Sequence, residues 1–431
     1  MSRPLLIHNA RLLDPSSGLD AAGGVLVAEG RIAEAGPRLA ATAAPEGAEL
    51  LDAGGLCLAP GLVDMRVQFG EPGAEHKERF ESGCRAAVAG GVTSLALLPD
   101  TEPPIDDPAM VEFVARRARQ ARLAKVYPYA AVTQRLEGRA LAELGLLREA
   151  GAVAFSDGAR AIASAAVMSR ALAYAGMVDA LVVQHPEEPE LAAGGVMNAG
   201  AIAARLGLTG IPAVAEVIMV ERDLRLLAAT GGRLHFAHVS TAAAIEAIRA
   251  AKARGLPVTC DATPHHLALN ELEVEGYRTF AKVSPPLRSE DDRRAVVEGL
   301  RDGTIDAIAS DHCPQDQDSK RLPFGQAAFG VVGVETMLPV CLRLVHEGQM
   351  SLLDLMARLS LAPARLLGLP GGRLAAGAPA DLVLFDPEAP WKITEAGLRS
   401  LSKNTAFEGR LVQGKVARTL VDGRTVFAQH V

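Results

Sequence analysis

Residues 234–262, LHFAHVSTAAAIEAIRAAKARGLPVTCDA, carry the pattern that decides the fold of this chain. The segment begins and ends with a short apolar run, 234–238 and 258–262, and an Ala-rich stretch of helical composition, 242–254, lies between them. A strand, a helix and a second strand in this order are typical of a βαβ unit with parallel strands. We therefore predict a parallel sheet with a helix that crosses over its face.

The same alternation extends over most of the chain. Short runs typical of buried strands lie at 61–68, 92–98, 126–131, 152–155, 181–185, 234–238, 258–262 and 307–310. Segments of helical composition lie between them, at 75–89, 110–122, 163–175, 195–206, 218–230 and 242–254. Eight strand-then-helix steps predict an α/β fold, the TIM (β/α)8 barrel, because parallel neighbours need crossover helices.

The two ends of the chain have a different character. Residues 5–58 and 372–428 show short strand patterns separated by Gly-containing turns. We predict that the two ends pair as one small β domain beside the barrel. In this organisation residues 1–58 and 366–431 form the two parts of the β domain, and residues 59–365 form the barrel.

The composition argues against several classes of function. The formal charge is −7 and no long Lys/Arg run is present, so nucleic acid is not an expected partner. No stretch approaches the roughly 20 apolar residues that a membrane span needs. The five cysteines form no CxxC pair, and residues 1–9 show no signal-peptide pattern. We expect a cytoplasmic protein with reduced thiols.

Residues with the chemistry of metal ligands follow three of the predicted strands. Catalytic groups of a TIM barrel collect at the carboxyl ends of its strands. Strand five ends in His185, strand six in His238 and strand eight in Asp311. Two imidazoles and a carboxylate match the three protein ligands of a catalytic zinc, and Asp311 could also be the general base for a metal-bound water. The alternative, that each histidine is a hydrogen-bonded packing residue, stays open.

Three further histidines are interpreted as structural. His235 shares a face with His238 only if the strand is irregular. His265 and His266 follow strand seven, where they are expected to anchor a loop.

The first strand does not fit a metal site. Alternation along it places Arg66 and Gln68 on one face. A guanidinium cannot ligate zinc, and an amide is a poor ligand for it. Strand four ends in residues 156–158, Ser-Asp-Gly, without a lysine that could be carboxylated into a bridging ligand.

Several ordered motifs resemble the class I dihydroorotases of the amidohydrolase superfamily. The matching stretches are 60–64, 71–73, 86–93, 238–241, 263–266, 285–288, 311–314, 329–333 and 380–383. They extend over nearly the whole chain. The resemblance implies a TIM barrel with a composite β domain and a link to pyrimidine biosynthesis.

The same resemblance shows which functional residues are replaced. Active members carry His-x-His where this chain has Arg66 and Gln68, and an aspartate bridging ligand where the ungapped alignment places Gly158. The arginine that binds the substrate carboxylate corresponds to Gly70. Two asparagines and a histidine of the family correspond to Asp100, Ser284 and Gln315.

What remains of the family's site is a smaller set. It comprises His185, His238 and Asp311, with the backbone substrate contact at Phe329 and Gly330. These residues would hold at most one metal ion.

Arg66 suggests how the barrel persists without a metal. A buried Asp311 without a partner would be costly. We therefore expect Arg66 to reach across the barrel mouth and pair with Asp311, in place of the metal's charge.

The resemblance leads to one main function and two alternatives. The main interpretation is a dihydroorotase-like protein without catalysis or cofactor, in which Asp311 is a vestigial general base. It would be a structural partner of aspartate carbamoyltransferase, in a homo- or hetero-oligomer. The first alternative is an active cyclic amidohydrolase with one zinc at His185, His238 and Asp311. The second is a small-molecule sensor that uses the former substrate pocket.

Overall fold

The structure is a computed structural model, and it describes residues 3–430. Its strands are β1 (Leu5–Asp14), β2 (Leu19–Ala28), β3 (Arg31–Gly36), β4 (Glu49–Asp52), β5 (Cys57–Pro60), β6 (Leu62–Val67), β7 (Val92–Leu97), β8 (Lys125–Ala130), β9 (Ala154–Phe155), β10 (Leu181–Gln184), β11 (Met197–Asn198), β12 (Gly210–Ile211), β13 (Arg233–Phe236), β14 (Val258–Ala262), β15 (Ala307–Ile308), β16 (Leu382–Lys392), β17 (Leu411–Val421) and β18 (Arg424–Ala428).

Its α-helices are α1 (Phe80–Ala89), α2 (Pro108–Ala121), α3 (Leu144–Glu149), α4 (Ala165–Met177), α5 (Pro189–Ala192), α6 (Ala201–Leu206), α7 (Val214–Thr230), α8 (Ala242–Ala253), α9 (Pro264–Ala268), α10 (Glu290–Asp302), α11 (Gln317–Lys320), α12 (Met337–His346), α13 (Leu352–Met356) and α14 (Ala362–Leu366). No helix within residues 3–430 is long and apolar enough to cross a membrane.

Eight parallel strands form the barrel, in the order β15-β14-β13-β10-β9-β8-β7-β6. Every residue of β6 and β7 is buried, because side chains fill the barrel on one face and helices cover the other. A β-bridge between Val67 and His312 joins the last strand to the first. The backbone N–H of Gln68 also donates to the backbone carbonyl of His312 at 2.8 Å. The predicted TIM barrel is confirmed.

A buried carboxyl group reinforces the closure of the barrel. Oδ1 of Asp64 accepts the backbone N–H of Ser310 at 3.0 Å and that of Arg66 at 3.2 Å. Burial raises the pKa of Asp64 to about 6, against the lowering effect of these bonds. Asp64 thus ties the first strand to the segment that carries Asp311.

A second sheet combines strands from both ends of the chain. Its order is β18-β17-β16-β5-β1-β2-β3, with β4 paired to β1. This confirms the predicted β domain built from both termini. An ion-pair cluster connects it to the barrel, since Lys125 Nζ lies 2.8 Å from Asp381 and 2.7 Å from Asp422.

Two of the predicted helices are wrong in extent. The helix predicted at 75–89 begins only at Phe80, because Oε2 of Glu71 accepts the Phe80 N–H and residues 71–79 form turns. The segment 195–206 contains strand β11 before α6, and Gly200, with extended backbone, separates the two. Local composition did not show these interruptions, since both depend on contacts with other segments.

Candidate functional site

The predicted site residues all lie at the carboxyl-end mouth of the barrel. His185 directly follows β10, whereas His238 and Asp311 lie two and three residues beyond the ends of β13 and β15. Arg66 is the next-to-last residue of strand β6, and Gln68 directly follows the strand. The barrel therefore brings together side chains from four separate strands.

Arg66 and Asp311 form an ion pair across the mouth. Arg66 Nε lies 2.7 Å from Asp311 Oδ1, and the two side chains are 4% and 13% exposed. Arg66 Nη2 also donates to the carbonyl of Gly158 at 3.4 Å. The pairing expected from the sequence is confirmed.

Two histidines extend this pair into a chain of contacts. Nδ1 of His238 lies 3.4 Å from the second Asp311 oxygen, and Nε2 of His238 lies 2.8 Å from Nδ1 of His185. Nε2 of His185 is 3.6 Å from Oε1 of Glu187. Both ring nitrogens of His238 are therefore engaged by neighbouring side chains.

The charges of this chain follow from burial and from Arg66. Burial and the nearby guanidinium lower the pKa of His238 to about 4. Burial alone would raise the pKa of Asp311, but the charge of His238 in its protonated form and that of Arg66 outweigh burial and hold that pKa well below its ordinary value. At neutral pH the arrangement is an ionised Asp311 paired with Arg66, beside a neutral His238.

The residues present do not fit a metal ion in this arrangement. Nε2 of His238 and Nδ1 of His185 bond to each other, and Oδ1 of Asp311 is taken by the cation of Arg66. Across residues 3–430 no group of three or more His, Cys, Asp or Glu side chains has the geometry of a metal site. The one-zinc alternative thus remains a prediction that would require these contacts to rearrange.

Two residues of the site retain strained backbone. His238 has φ of 41° and Asp311 has φ of 50°, in the left-handed region that costs a non-glycine residue free energy. Asp261 supports His238 by accepting its N–H at 2.8 Å. Such strain is typical of functional sites. In this chain His238 and Asp311 show it although Arg66 and Gln68 stand where the resemblance places the first-strand ligands.

Gln68 takes part in a separate contact. Its Nε2 donates to Oδ2 of Asp100 at 2.5 Å, and its Oε1 accepts from Sγ of Cys313 at 2.6 Å. Burial raises the pKa of Asp100, and the nearby Arg66 opposes this effect. A position that holds a metal ligand in active members is thus occupied by an amide bound on both sides.

Two glycines close the space where family side chains would lie. A Cβ built on Gly158, whose φ is +70°, would lie 2.7 Å from Cγ of Asp100. A Cβ built on Gly70 would overlap the carbonyl oxygen of Ala74. The surrounding chain therefore leaves no room for the aspartate and the arginine that the family resemblance places at these two positions, and either side chain would require neighbours to move.

The predicted substrate contact is partly used within the protein. The Gly330 N–H donates to the Lys282 carbonyl at 3.0 Å, and the Gly330 carbonyl accepts from Nδ2 of Asn404 at 3.0 Å. The Lys282 ammonium lies 4.6 Å from the centre of the Phe329 ring. These contacts hold residues 329 and 330 in place.

Two of the histidines interpreted as structural, His235 and His266, form hydrogen-bonding contacts within the protein. His235, fully buried, bonds Asp261 at 2.9 Å and Thr259 at 2.8 Å, in keeping with a structural role. The loop expected at His265 and His266 is instead the short helix α9, because Thr263 caps its start. His266 also contacts the carbonyl of Pro285 at 3.1 Å.

One side chain of the site was missed in the sequence. Glu187 lies two residues after His185 and contacts its ring. The sequence offered one signal for this residue, its position just beyond the end of a predicted strand. Together with His185 it lines a cleft of about 580 Å³ beside the barrel mouth.

The fold and this cluster define the class of protein. A parallel barrel with a β domain from both termini, and with His, His and Asp at its mouth, is the architecture of amidohydrolases. A family model described as Dihydro-orotase-like matches residues 55–244, and one described as Amidohydrolase family matches residues 294–427.

Similar proteins narrow this class to one family. A dihydroorotase of Pelobacter propionicus is 47% identical over 423 residues, which cover 98% of this chain and 99% of that protein. A dihydroorotase of Anaeromyxobacter dehalogenans is 47% identical over 428 residues, with 99% and 98% covered. The structure of an L-hydantoinase (dihydropyrimidinase) from Arthrobacter aurescens has a TM-score of 0.88 at 27% identity, covering 99% of this chain and 96% of that one. The chain belongs to the dihydroorotase-like family of amidohydrolases.

Proposed function

We propose that this chain is a non-catalytic member of the dihydroorotase family that acts in pyrimidine biosynthesis as a structural partner of aspartate carbamoyltransferase. The observation that carries the non-catalytic part is the ion pair of Arg66 with Asp311. The partnership rests on the resemblance to degenerate family members that assemble with this transferase.

The ion pair supplies what a metal would supply to Asp311. A carboxylate in a buried site is costly unless a cation neutralises it. Arg66 provides that cation at 2.7 Å and is itself buried. The charge of Asp311 is therefore neutralised without a metal, whereas metal-activated water is the nucleophile that an amidohydrolase needs.

Recognition of dihydroorotate is also weakened. The family's arginine would bind the substrate carboxylate through two charge-assisted hydrogen bonds, and Gly70 offers none. Asp100 adds a carboxyl group where the resemblance places an asparagine, which disfavours an anionic substrate. Since each 1.36 kcal/mol of lost transition-state stabilisation lowers the rate about tenfold, these losses together would remove most of the activity.

The second candidate function is an amidohydrolase with one zinc. It is supported by the consecutive contacts that join His185, His238 and Asp311. It requires His238 to release His185, and Asp311 to release Arg66. Zinc-dependent turnover of dihydroorotate would favour this candidate over the proposed function.

Co-expression tests the proposed partnership. The full chain and the aspartate carbamoyltransferase of the same organism are expressed together, and size-exclusion chromatography with light scattering gives the mass of the assembly. The proposal predicts co-elution in a fixed stoichiometry. Separate elution of the two proteins at micromolar concentration would contradict the partnership, and it would leave the question of catalysis to the turnover assay.

A further inference from the structure

The first turns of helix α7 expose apolar side chains on the outside of the barrel. Val214 and Ile218 are both exposed and lie four residues apart, so they stand on one face of the helix. Leu191 of α5 is exposed as well, and α5 begins beside this end of α7, where the Glu188 N–H donates to the Ala215 carbonyl at 2.9 Å. Large apolar side chains grouped on a surface mark a site of interaction with another molecule.

The other end of α7 also has an exposed apolar neighbour. Met177, the last residue of α4, is 84% exposed. A Cβ built on the preceding Gly176 would lie 3.3 Å from Cα of Gly232, which comes two residues after α7. The two helices therefore end side by side, and exposed apolar groups lie near both ends of α7.

Two charges of opposite sign lie between these ends. Glu221 and Arg225 are exposed and continue the face that begins at Val214, because helical residues three or four apart are neighbours. Arg222 is paired with its neighbour Asp223 at 2.7 Å, whereas Glu221 and Arg225 form no ion pair within residues 3–430. Along the helix this face is thus apolar, then acidic, then basic.

We propose that two copies of this chain form a dimer by packing α7 against α7 in antiparallel orientation. A two-fold axis that passes near residue 223 places Glu221 opposite Arg225 of the partner subunit, and the same contact is repeated on the other side of the axis. The apolar start of each helix then lies toward the end of the other, where Met177 is exposed. Both charges are paired and the apolar side chains are covered.

The order of groups on this face favours a second copy as the occupant. An unrelated protein would need an acidic and a basic group of its own at the matching positions, whereas a second copy supplies both by symmetry. The dimer requires no metal, substrate or transferase. The inference therefore goes beyond the proposed function.

Size-exclusion chromatography with light scattering of the full chain alone tests whether this face forms a dimer. We expect the mass of a dimer at micromolar concentration. Ile218→Asp places a carboxylate within the apolar part of the interface and should give the mass of a monomer. Leu50→Asp is the matched control, since Leu50 is also exposed but lies on β4 of the β domain, and this variant should remain a dimer.

A charge exchange tests the antiparallel arrangement itself. Glu221→Arg and Arg225→Glu each bring like charges together across the axis, and each should weaken the dimer about tenfold or more. The variant with both exchanges restores the two pairs in reverse and should regain the dissociation constant of the wild type. Both side chains are exposed, so the variants are expected to fold, which circular dichroism verifies.

Three results would overturn the proposal. They are a monomer at micromolar concentration, a dimer that Ile218→Asp leaves intact, and a double charge exchange that dimerises as weakly as the single ones. The transferase is absent from these experiments and no turnover is measured. Failure here would therefore leave the proposed function to the co-expression and turnover tests.

Discussion

Arg66 Nε lies 2.7 Å from Asp311 Oδ1, and this contact joins the first strand of the barrel to the last. The guanidinium stands where active family members have a metal-binding histidine. In the proposed function, this cation of the protein takes the place of a metal cation that would be bound from solution.

Breaking the ion pair should be costly. Arg66→Met or Asp311→Leu alone leaves a buried charge unpaired, and each should lower the free energy of unfolding by about 3–5 kcal/mol. The free energy of unfolding of the double variant should fall by much less than the sum of the two single losses, because both charges are then absent. Denaturant unfolding of the four proteins measures the interaction.

An exposed pair provides the control. Arg11 and Asp20 also lie 2.7 Å apart, but their side chains are 47% and 36% exposed. Arg11→Met should lower the free energy of unfolding by no more than about 1 kcal/mol. Equal losses for Arg66→Met and Arg11→Met would show that the buried pair has no special role.

Gly158 should resist substitution because of Asp100. Gly158→Ala places a Cβ against the Asp100 side chain, which should cost about 1–3 kcal/mol beyond the strain of the backbone. Gly207→Ala is a matched control, since φ is 66° there and a Cβ would meet nothing within 4 Å. Thermal unfolding of both variants gives the difference in stability. Adding Asp100→Gly, which removes the Asp100 Cβ as well as its carboxyl group, should relieve it. If the two glycine variants unfold alike, the close approach is not a constraint.

Asp64 should make stability depend on pH. Its folded-state pKa of about 6 exceeds the ordinary value of 3.8, so the folded chain holds this proton more tightly. The protonated carboxyl contributes roughly 3 kcal/mol to the free energy of unfolding. This contribution is fully present below about pH 4 and is lost as the pH rises through 6. Asp64→Asn removes the titration. The free-energy difference between wild type and variant should therefore change in this window, and a constant difference from pH 4 to 7 would argue against it.

Restoring the first-strand ligands should restore metal binding without full activity. Arg66→His with Gln68→His returns two imidazoles to the mouth and frees Asp311 from its ion pair. After dialysis against zinc, we expect the double variant to retain more zinc than the wild type, as measured by atomic emission. Hydrolysis of dihydroorotate should remain low, since Gly70 still offers no group for the substrate carboxylate. Equal zinc retention in both proteins would contradict the first expectation.

The sequence predicted the barrel, the β domain and the contact between Arg66 and Asp311. The barrel followed from alternating strands and helices, and the contact followed from strand register together with the cost of an unpaired buried carboxylate. The bond between His185 and His238 could not be predicted, because it depends on how two rings rotate after the strands end. The close approach of the Asp100 side chain to Gly158 depends in the same way on loop packing and not on residue type.

Turnover of dihydroorotate by the purified chain, measured in both directions with zinc in excess, tests whether the protein is non-catalytic. We predict no rate above background, because Arg66 occupies the carboxylate that a metal would need. A rate well above background that Asp311→Asn abolishes would contradict it, and would show that His185, His238 and Asp311 suffice for a catalytic site.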